Sequence, residues 1–261
     1  MRSCPPGWAT DLAILEHTGA VVEEHEDHLL VRSPDQPGFH WGNFVLVTDE
    51  DTVDDADRWV TAFRAALPDA DWVAIGLPRM PGTPDSWAAH GLDLELDEVL
   101  TTRSLPQGAP LPAGYSVRRL SGADWDHALA RTIAANDRSG EQDPTSFEPF
   151  ARGQGRTRQD LSRRDVAAWF GAFADGALVA DLGIVRCGST ARYQDVSTDE
   201  PHRRRGLAAH LLGVAARWAA DGGCDAWVIV TEPTNPAGRV YRSMGFTPDT
   251  GAVQAYRRPP R

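Results

Sequence analysis

An internal repeat constrains the fold of this chain more than any other feature of its sequence. When the 261-residue sequence is compared with itself at an offset of 154, Asp71 falls on Asp225 and no gap is needed over about 60 residues. The stretches that coincide are 41–47 with 195–201, 58–66 with 212–220, 71–75 with 225–229, and 90–92 with 244–246. Each half therefore predicts a strand, a helix, a strand, a short helix, a Gly-apolar step and a final strand. Two copies of one α/β unit are the interpretation; chance similarity is the alternative, because identities are few.

The two halves are separated by a segment without periodicity. Arg103 to Gly114 contains three prolines and two glycines, which is typical of a linker. We therefore predict a domain at 1–105, a linker at 106–114 and a second domain at 115–261.

Composition limits the partners. The net charge is −11, and all 26 basic residues are arginine, so the chain has no lysine. Nucleic acid is an unsuitable partner for such a chain, whereas a cationic small molecule suits it electrostatically. No apolar run approaches the ~20 residues of a membrane span, and no signal peptide is apparent. Three separated cysteines argue against a disulfide framework or a metal site and favour a cytoplasmic location. The sequence leaves the oligomeric state open, a homodimer included.

Hydrophobic periodicity predicts the elements of the second half. They are a strand at 115–120, a helix at 124–135 capped by Ser121, hairpin strands at 167–173 and 177–186, a strand at 191–197, a helix at 206–220, a buried strand at 226–230, a short helix at 236–244 and a strand at 252–257 that closes the sheet. Asp175-Gly176 is a strong turn dipeptide for the hairpin. Residues 136–159 are polar and contain Gly and Pro, so a long loop with a short helix is expected there.

The first motif with chemical meaning follows the strand at 191–197. A basic, Gly-containing loop leads directly into a helix, and the residues of the motif and of the strand before it are Val196, Ser197, Thr198, Arg203, Arg204, Arg205, Gly206, Leu207 and Ala208. A helix N-terminus exposes unpaired N–H groups and carries partial positive charge, so a pyrophosphate can bind there. A solvated basic helix start is the alternative.

The second motif follows the next buried strand. Asn235 suits a helix N-cap, Tyr241 lies about two turns into the short helix, and Gly245-Phe246 ends that helix. Taken alone, a tyrosine at position 241 is more often a packed aromatic residue than an acid.

Together the two motifs resemble the GCN5-related N-acetyltransferase (GNAT) superfamily. The resemblance covers most of Ala167 to Arg257 and rests on Arg203-x-x-Gly206-x-Ala208, followed by Asn235-x5-Tyr241-x3-Gly245-Phe246. It implies an α/β (α+β) fold of two GNAT-like units, each a mixed, mostly antiparallel sheet flanked by helices. It also implies that acetyl-CoA is the co-substrate, with no metal, and that the basic loop binds its pyrophosphate. The pantetheine arm and thioester carbonyl would be held around Val196 and Thr198, and Tyr241 would protonate the leaving thiolate.

The reaction implied is direct acetyl transfer to a primary amine of a small molecule through a tetrahedral oxyanion, which a fixed backbone N–H stabilises. The attacking ammonium must first lose a proton. Asp195 and Glu232 are the candidate bases, and a water chain is an equal alternative; strand alternation would turn Asp195 away from the acyl group. The acceptor would bind at the loop 136–159. A non-catalytic acyl-CoA sensor, a protein N-acetyltransferase and a nucleotide-binding protein are the competing classes, and the last lacks any phosphate loop with a lysine.

The first half resembles the same unit in degenerate form. At the position of the basic loop it carries 49–54, with four carboxylates in six residues. Negative charge at that helix start would repel a pyrophosphate, so no CoA is expected to bind there.

Overall fold

The structure, a computed structural model, describes residues 4–140 and 142–259. The chain divides into two compact units that interleave along the sequence. The first contains the residues through Thr101 together with Val228–Arg239 and the segment from Phe246 onwards; the second contains Thr102–Trp227 and Val240–Gly245. The predicted linker 106–114 falls within the second unit.

The first unit is built on a mixed sheet. Its elements are α1 (Pro6–His17), β1 (Val21–Glu24), β2 (His28–Arg32), β3 (Phe44–Val47), α2 (Ala56–Ala66), β4 (Val73–Leu77), α3 (Pro84–Ala89) and β5 (Asp93–Thr102), with β10 (Ala226–Thr231), β11 (Thr247–Pro248) and β12 (Ala252–Arg257). The strand order is β1-β2-β3-β4-β12-β5-β10, and β11 pairs with β5. The pair β3–β4 is parallel, whereas β12 is antiparallel to both β4 and β5.

The core of the first unit lies where α2 packs on β3 and β4. Every residue of both strands is buried, which is the pattern of strands covered on two faces. Helix α2 buries Ala56, Trp59, Val60 and Phe63, an i, i+3, i+4, i+7 stripe that faces the sheet. Its N-cap is Asp55, whose carboxylate accepts a hydrogen bond from the N–H of Arg58 at 3.0 Å.

The second unit is built on an antiparallel sheet in the order β9-β8-β7-β6. Its elements are β6 (Tyr115–Arg119), α4 (Asp124–Ser139), α5 (Pro144–Arg163), β7 (Ala167–Ala174), β8 (Ala177–Cys187), β9 (Thr190–Thr198), α6 (Leu207–Asp221) and α7 (Ala237–Ser243), of which α7 belongs to this unit from Val240 onwards. The β7–β8 hairpin is confirmed: Asp175 and Gly176 have φ values of 48° and 82°, as a turn with two left-handed residues requires.

Helices cover both faces of this sheet. Helix α6 packs on β7, β8 and β9, and the Tyr193 hydroxyl of β9 donates to the Leu212 carbonyl at 2.9 Å. Helices α4 and α5 pack on β7 and β8. Because side chains alternate along a strand, Asp181 of β8 faces α4 while its neighbour Leu182 faces the other way. The predicted fold class, a mixed α/β fold with mostly antiparallel sheets flanked by helices, is confirmed.

The elements of the two halves coincide at the offset of 154. Shifted by that number, α2, β4 and α3 fall within α6, β10 and α7. Gly91 and Gly245, which the offset also pairs, both have positive φ values, 70° and 91°. The residues after them, Leu92 and Phe246, are both buried.

Three predicted elements are corrected. Strand β12 has the predicted bounds but does not close the sheet of the second half, because it pairs with β4 and β5 of the first unit. The expected loop at 136–159 is mostly helical; Glu141 in that range lies outside the described residues. The signals for α5 were present: Asp143 caps Ser146 N–H at 3.0 Å and Pro144 occupies the first turn. Packing of α5 on β7 then overrides the low helix propensity of Pro149 and of the glycines.

The third correction concerns the start of α4. Its N-cap residue is Ala123, with no side-chain cap, and the Asp124 carboxylate accepts from the N–H of Ser121 at 2.9 Å, the reverse of the predicted capping. Across residues 4–140 and 142–259, none of the helices combines the length and the apolar character that a membrane span requires.

Candidate active site

The loop between β9 and α6 is shaped by two residues with left-handed backbone. After a 3-10 turn at Glu200–His202, Arg204 has φ 60° and Gly206 has φ 83°. Gly206 is the N-cap of α6, no side chain caps the helix, and its first turn contains no acidic residue. The first intrahelical bond runs from His210 N–H to the Gly206 carbonyl at 2.9 Å. The preceding N–H groups at 207–209 therefore have no intrahelical acceptor and point out of a positive helix end, where an anion binds.

The side chains of the loop hold its backbone in place. The Arg203 Nε–H donates to the Thr198 carbonyl at 3.0 Å, and an Arg205 N–H donates to the Pro201 carbonyl at 3.3 Å. Tyr115 of β6 and His202 are joined by a hydrogen bond of 2.8 Å between hydroxyl and Nδ1. All three arginines are exposed, so their positive charge is available to a ligand on the surface.

Strand β9 carries a bulge directly before this loop. Asp181 of β8 pairs with Ser197, and Gly183 pairs with Gln194, so two residues of β9 stand opposite Leu182 alone. Asp195, one of those two, has φ 52°. A bulge leaves the extra residue outside the ladder and bends the strand. No glycine or proline marks this break in the sequence, and the alternation argument that turned Asp195 away from the acyl group does not apply here.

The two candidate bases lie in different surroundings. Asp195 forms an ion pair with Arg158 of α5, with 2.9 Å between Oδ2 and the guanidinium nitrogen. Its carboxylate would have to leave Arg158 before it could accept a proton. Glu232 is exposed, follows β10 and belongs to the first unit. Asn235 also belongs to the first unit, and its side chain accepts the N–H of Ala237 at 3.0 Å, as expected of an N-cap for α7.

Tyr241 belongs to the second unit and is 5 % exposed. Burial raises the pKa of its phenol to about 12. The hydroxyl therefore stays protonated at neutral pH, which suits a proton donor and excludes a neutral-pH base. In the described part of the chain no hydrogen bond to this hydroxyl is present.

A polar network next to the bulge was missed by the sequence analysis. Arg131 of α4 bridges Asp181 and Asp199, and its guanidinium lies 2.9 Å from Asp199 Oδ1. The Ser197 hydroxyl donates to Asp181 Oδ1 at 2.6 Å. Burial raises the pKa of the Asp181 carboxyl, while Arg131 and Ser197 oppose that shift. One signal was available: Asp181 is the only charged residue between Ala177 and Val185, in a run that otherwise reads as a buried strand.

A small cavity of about 20 Å³, room for about one water molecule, lies against this network, between α4, α5 and the β7–β8 strands. Among the residues that line it are Trp125, Leu129, Gly155, Arg158, Trp169 and Asp181. The two indole rings have centroids 5.8 Å apart. The cavity thus combines an apolar wall with one carboxylate and one guanidinium.

Comparisons with known proteins give one family match and several similar folds. Residues 133–246 match the model of the acetyltransferase (GNAT) family. A search of curated proteins finds no matching sequence. The match covers the basic loop, the β9 bulge and Tyr241.

Solved structures share the fold of the chain. A conserved protein of unknown function from Staphylococcus epidermidis aligns with a TM-score of 0.73 at 11 % identity, covering 93 % of this chain and 96 % of the other. A GCN5-related N-acetyltransferase from Kribbella flavida gives 0.68 at 17 %, covering 97 % and 96 %. A tandem GNAT protein from the clavulanic acid biosynthesis pathway gives 0.59 at 16 %, covering 100 % and 90 %. The family model matches less than half of the chain, and the solved structures show that the chain shares their fold.

Proposed function

We propose that this protein is an acetyl-CoA-dependent N-acetyltransferase that acts on a primary amine of a small molecule. The observation that carries the proposal is the uncapped start of α6. There, left-handed Arg204 and Gly206 present free N–H groups directly after the bulged strand β9. This arrangement lies within the segment that matches the acetyltransferase family.

The proposed cofactor site follows from these backbone groups. The pyrophosphate would be bound by the loop Arg203–Ala208, since the helix end and three exposed arginines favour two to three negative charges. The strand residues Val196, Ser197 and Thr198 would hold the pantetheine arm, and the break in the ladder at 195–196 would leave a backbone N–H for the thioester carbonyl. Asn235 would act by capping α7, which carries Tyr241.

The chemistry assigned to the chain is a direct transfer. The amine nitrogen forms a bond to the thioester carbonyl carbon, and a backbone N–H near Val196 stabilises the oxyanion that results. The carbon–sulfur bond then breaks, and the protonated phenol of Tyr241 supplies a proton to the thiolate. The proton lost by the ammonium goes to Asp195, once it is released from Arg158, to Glu232, or to water.

The first half is proposed to be a degenerate copy without a cofactor site. Asp55 already caps α2, and Asp54 accepts hydrogen bonds from the N–H of Thr83 and from Arg79, each at 3.1 Å. Strands β3 and β4 are hydrogen-bonded as parallel neighbours, with Val45 opposite Ile75. Acetyl-CoA binding with a stoichiometry of one would agree with this division, and a stoichiometry of two would contradict it.

The experiment that tests the function is calorimetric titration of acetyl-CoA into the intact protein and into an Arg203→Glu, Gly206→Glu variant. One micromolar site in the intact protein, lost in the variant, is expected. The control is Arg138→Glu, Gly140→Glu, which makes the same two substitutions at an exposed arginine and at a glycine with φ 66°. The control should bind acetyl-CoA normally. Absence of binding by the intact protein would refute the proposal.

Turnover separates an enzyme from a sensor. Thiol release from acetyl-CoA that depends on a small amine is expected, whereas binding without release for any amine or peptide N-terminus would identify a non-catalytic acyl-CoA sensor. Because the chain has no lysine, acetylation of its own lysine side chains cannot contribute to the signal.

A further inference from the structure

We infer that the ion pair between Arg158 of α5 and Asp195 of β9 keeps the base of the reaction occupied while no acceptor is bound, and that it thereby limits hydrolysis of acetyl-CoA. The inference names Asp195 as the base and Arg158 as a positioning residue, which acts on the reaction through Asp195. A cationic acceptor would replace the guanidinium at Asp195, whereas water would not. The inference rests on the proposed function, because it concerns the regulation of that same site.

The bulge of β9 brings Asp195 to α5. Asp195 has φ 52°, is exposed, and directly precedes Val196, near which the N–H for the thioester carbonyl is proposed to lie. A bulge beside an active site redirects a side chain, and a left-handed residue other than glycine costs free energy that its surroundings must offset. The redirected carboxylate contacts Arg158, with 2.9 Å between Oδ2 and the guanidinium nitrogen. The strand therefore presents a carboxylate beside the proposed thioester site, and α5 pairs it with a cation.

The two arginines that contact strands β8 and β9 differ in how firmly they are held. The Arg131 side chain is 15 % exposed and pairs with both Asp181 and Asp199. The side chains of Arg158 and Asp195 are 26 % and 45 % exposed. An exposed ion pair contributes little to stability, and ions in solution screen it. Arg131 is therefore the fixed cation of this cluster, and Arg158 is the exchangeable one.

A second carboxylate is available to Arg158 when it leaves Asp195. Arg158 and Asp181 both line the small cavity of about 20 Å³, so a movement of about 3 Å, the diameter of a water molecule, would carry the guanidinium across it. Asp181 shares Arg131 with Asp199, so three carboxylates face two guanidiniums in this cluster. Burial and the nearby charge of Asp195 raise the pKa of the Asp181 carboxyl. A second cation at Asp181 would relieve both effects, and Arg158 would stay paired throughout.

The charge of the acceptor decides whether Arg158 leaves Asp195. A protonated amine carries one positive charge, so it can replace a guanidinium at an exposed carboxylate without changing the net charge of the site. It then loses its proton to Asp195, and the neutral amine attacks the thioester carbon. Water carries no charge to exchange, so Arg158 remains paired and the carboxylate stays unavailable as a base. Acetyl-CoA would thus be consumed mainly when an amine is present.

Hydrolysis of acetyl-CoA tests the inference without knowledge of the acceptor. The oxygen of water forms a bond to the thioester carbonyl carbon, and Asp195 takes a proton from that water. The carbon–sulfur bond breaks, the thiolate takes up a proton, and Asp195 returns its own proton to solvent, which leaves acetate and CoA. Arg158→Gln frees Asp195, so it should raise the rate of hydrolysis about 10-fold. The rate is measured by chromatographic detection of free CoA in a buffer without amines.

Matched variants separate the charge of Arg158 from other effects on α5. Arg152→Gln removes another arginine of this helix, whose partner Glu148 lies at 2.6 Å, and hydrolysis should keep its wild-type rate. Arg158→Lys retains a cation and should bring the rate back toward the wild-type value. In Arg158→Gln, Asp195→Asn the increase should disappear, because no carboxylate is left to release. Calorimetry with acetyl-CoA verifies that each variant still binds the cofactor.

A double-mutant cycle tests the movement of Arg158 to Asp181. Asp181→Asn removes the second partner, so Arg158 stays at Asp195 and hydrolysis should fall about three-fold. In the Arg158→Gln background the same substitution should have no effect. A purely structural role of Asp181 would give the same change in both backgrounds, and that result would overturn the proposed movement.

The outcomes separate this inference from the proposed function. A rate of hydrolysis that is unchanged or lower in Arg158→Gln, or an increase that persists without Asp195, would overturn the inference. If acetyl-CoA still binds and an amine still promotes thiol release in that case, the proposed function stands. If the intact protein does not bind acetyl-CoA, the proposed function fails and the inference fails with it.

Discussion

The starts of helices α2 and α6 differ in how their N–H groups are satisfied. Helix α2 begins at Asp55, whose carboxylate accepts from Arg58 N–H, and its first turn also contains Asp57. Helix α6 begins at Gly206, without a side-chain cap and without an acid in its first turn. At the start of α2, a carboxylate of the chain accepts a helix N–H. The start of α6 has no such carboxylate, although negative charge stabilises the positive end of a helix.

The difference extends to the residues around each helix. In the first half, hydrogen bonding by Arg79 lowers the pKa of Asp54, so this carboxylate is firmly ionised and occupied by Arg79 and the 82–83 backbone. At the offset of 154, Asp54 falls on Ala208, in the first turn of α6. The two helix starts thus differ in two or three side chains, and those side chains decide whether a carboxylate of the chain already occupies the helix end.

The largest expected effect comes from giving α6 the acidic cap of α2. Gly206→Asp places a carboxylate where the pyrophosphate is proposed to bind, and acetyl-CoA affinity should fall on the order of 100-fold because like charges meet at close range. Gly206→Asn has the same size and tolerates a positive φ, so it reports the steric part alone, about 10-fold or less. Calorimetry measures both. Equal losses for Asp and Asn would mean that shape, and not charge, determines binding.

The second prediction compares Trp87 in α3 with Tyr241 in α7, two residues that coincide at the offset of 154. Tyr241→Phe should lower kcat about 10- to 100-fold with little change in acetyl-CoA affinity, because it removes a proton donor. The pKa of Tyr241 is raised to about 12, so the phenol is protonated over the whole range of pH 7 to 10. The ratio of wild-type to variant kcat should therefore be constant across that range.

The control for this prediction is Trp87→Phe, which removes a fully buried indole without a hydrogen-bond partner. It should change stability and leave kcat unaltered. If Tyr241→Phe retains full activity, Tyr241 has a packing role like that of Trp87. The leaving thiolate would then take its proton from solvent.

The parts of the molecule that the sequence predicted are the local ones. The hairpin at Asp175-Gly176 and the uncapped loop before α6 depend on residues within a few positions of each other. Local sequence patterns therefore predict them. The position of β12 depends on its pairing with β4 and β5, strands far away in the sequence, which no local pattern encodes. The bulge at Asp195 occurs in a strand whose residues alternate without a glycine or proline to mark it.

The polar network near the bulge also depends on residues that are far apart in the sequence. Arg131 and Asp181 are 50 residues apart, and only the packing of α4 on β8 brings them together. Asp181 could have been marked as unusual, since a charge in a buried strand requires a partner. Its partner could not have been chosen, because 26 arginines are available in the chain.

The smallest expected effect concerns the cap of α2, where the carboxylate is removed instead of added. Asp55→Ala removes the hydrogen bond to Arg58 N–H and should lower the free energy of unfolding by about 1 kcal/mol. Acetyl-CoA affinity should not change, and no second binding site should appear, because Asp49, Asp51 and Asp54 still place negative charge at that helix start. Urea denaturation measures the first effect and calorimetry the second. A stoichiometry that rises toward two would show that the cap, and not the surrounding carboxylates, keeps the first half free of the cofactor.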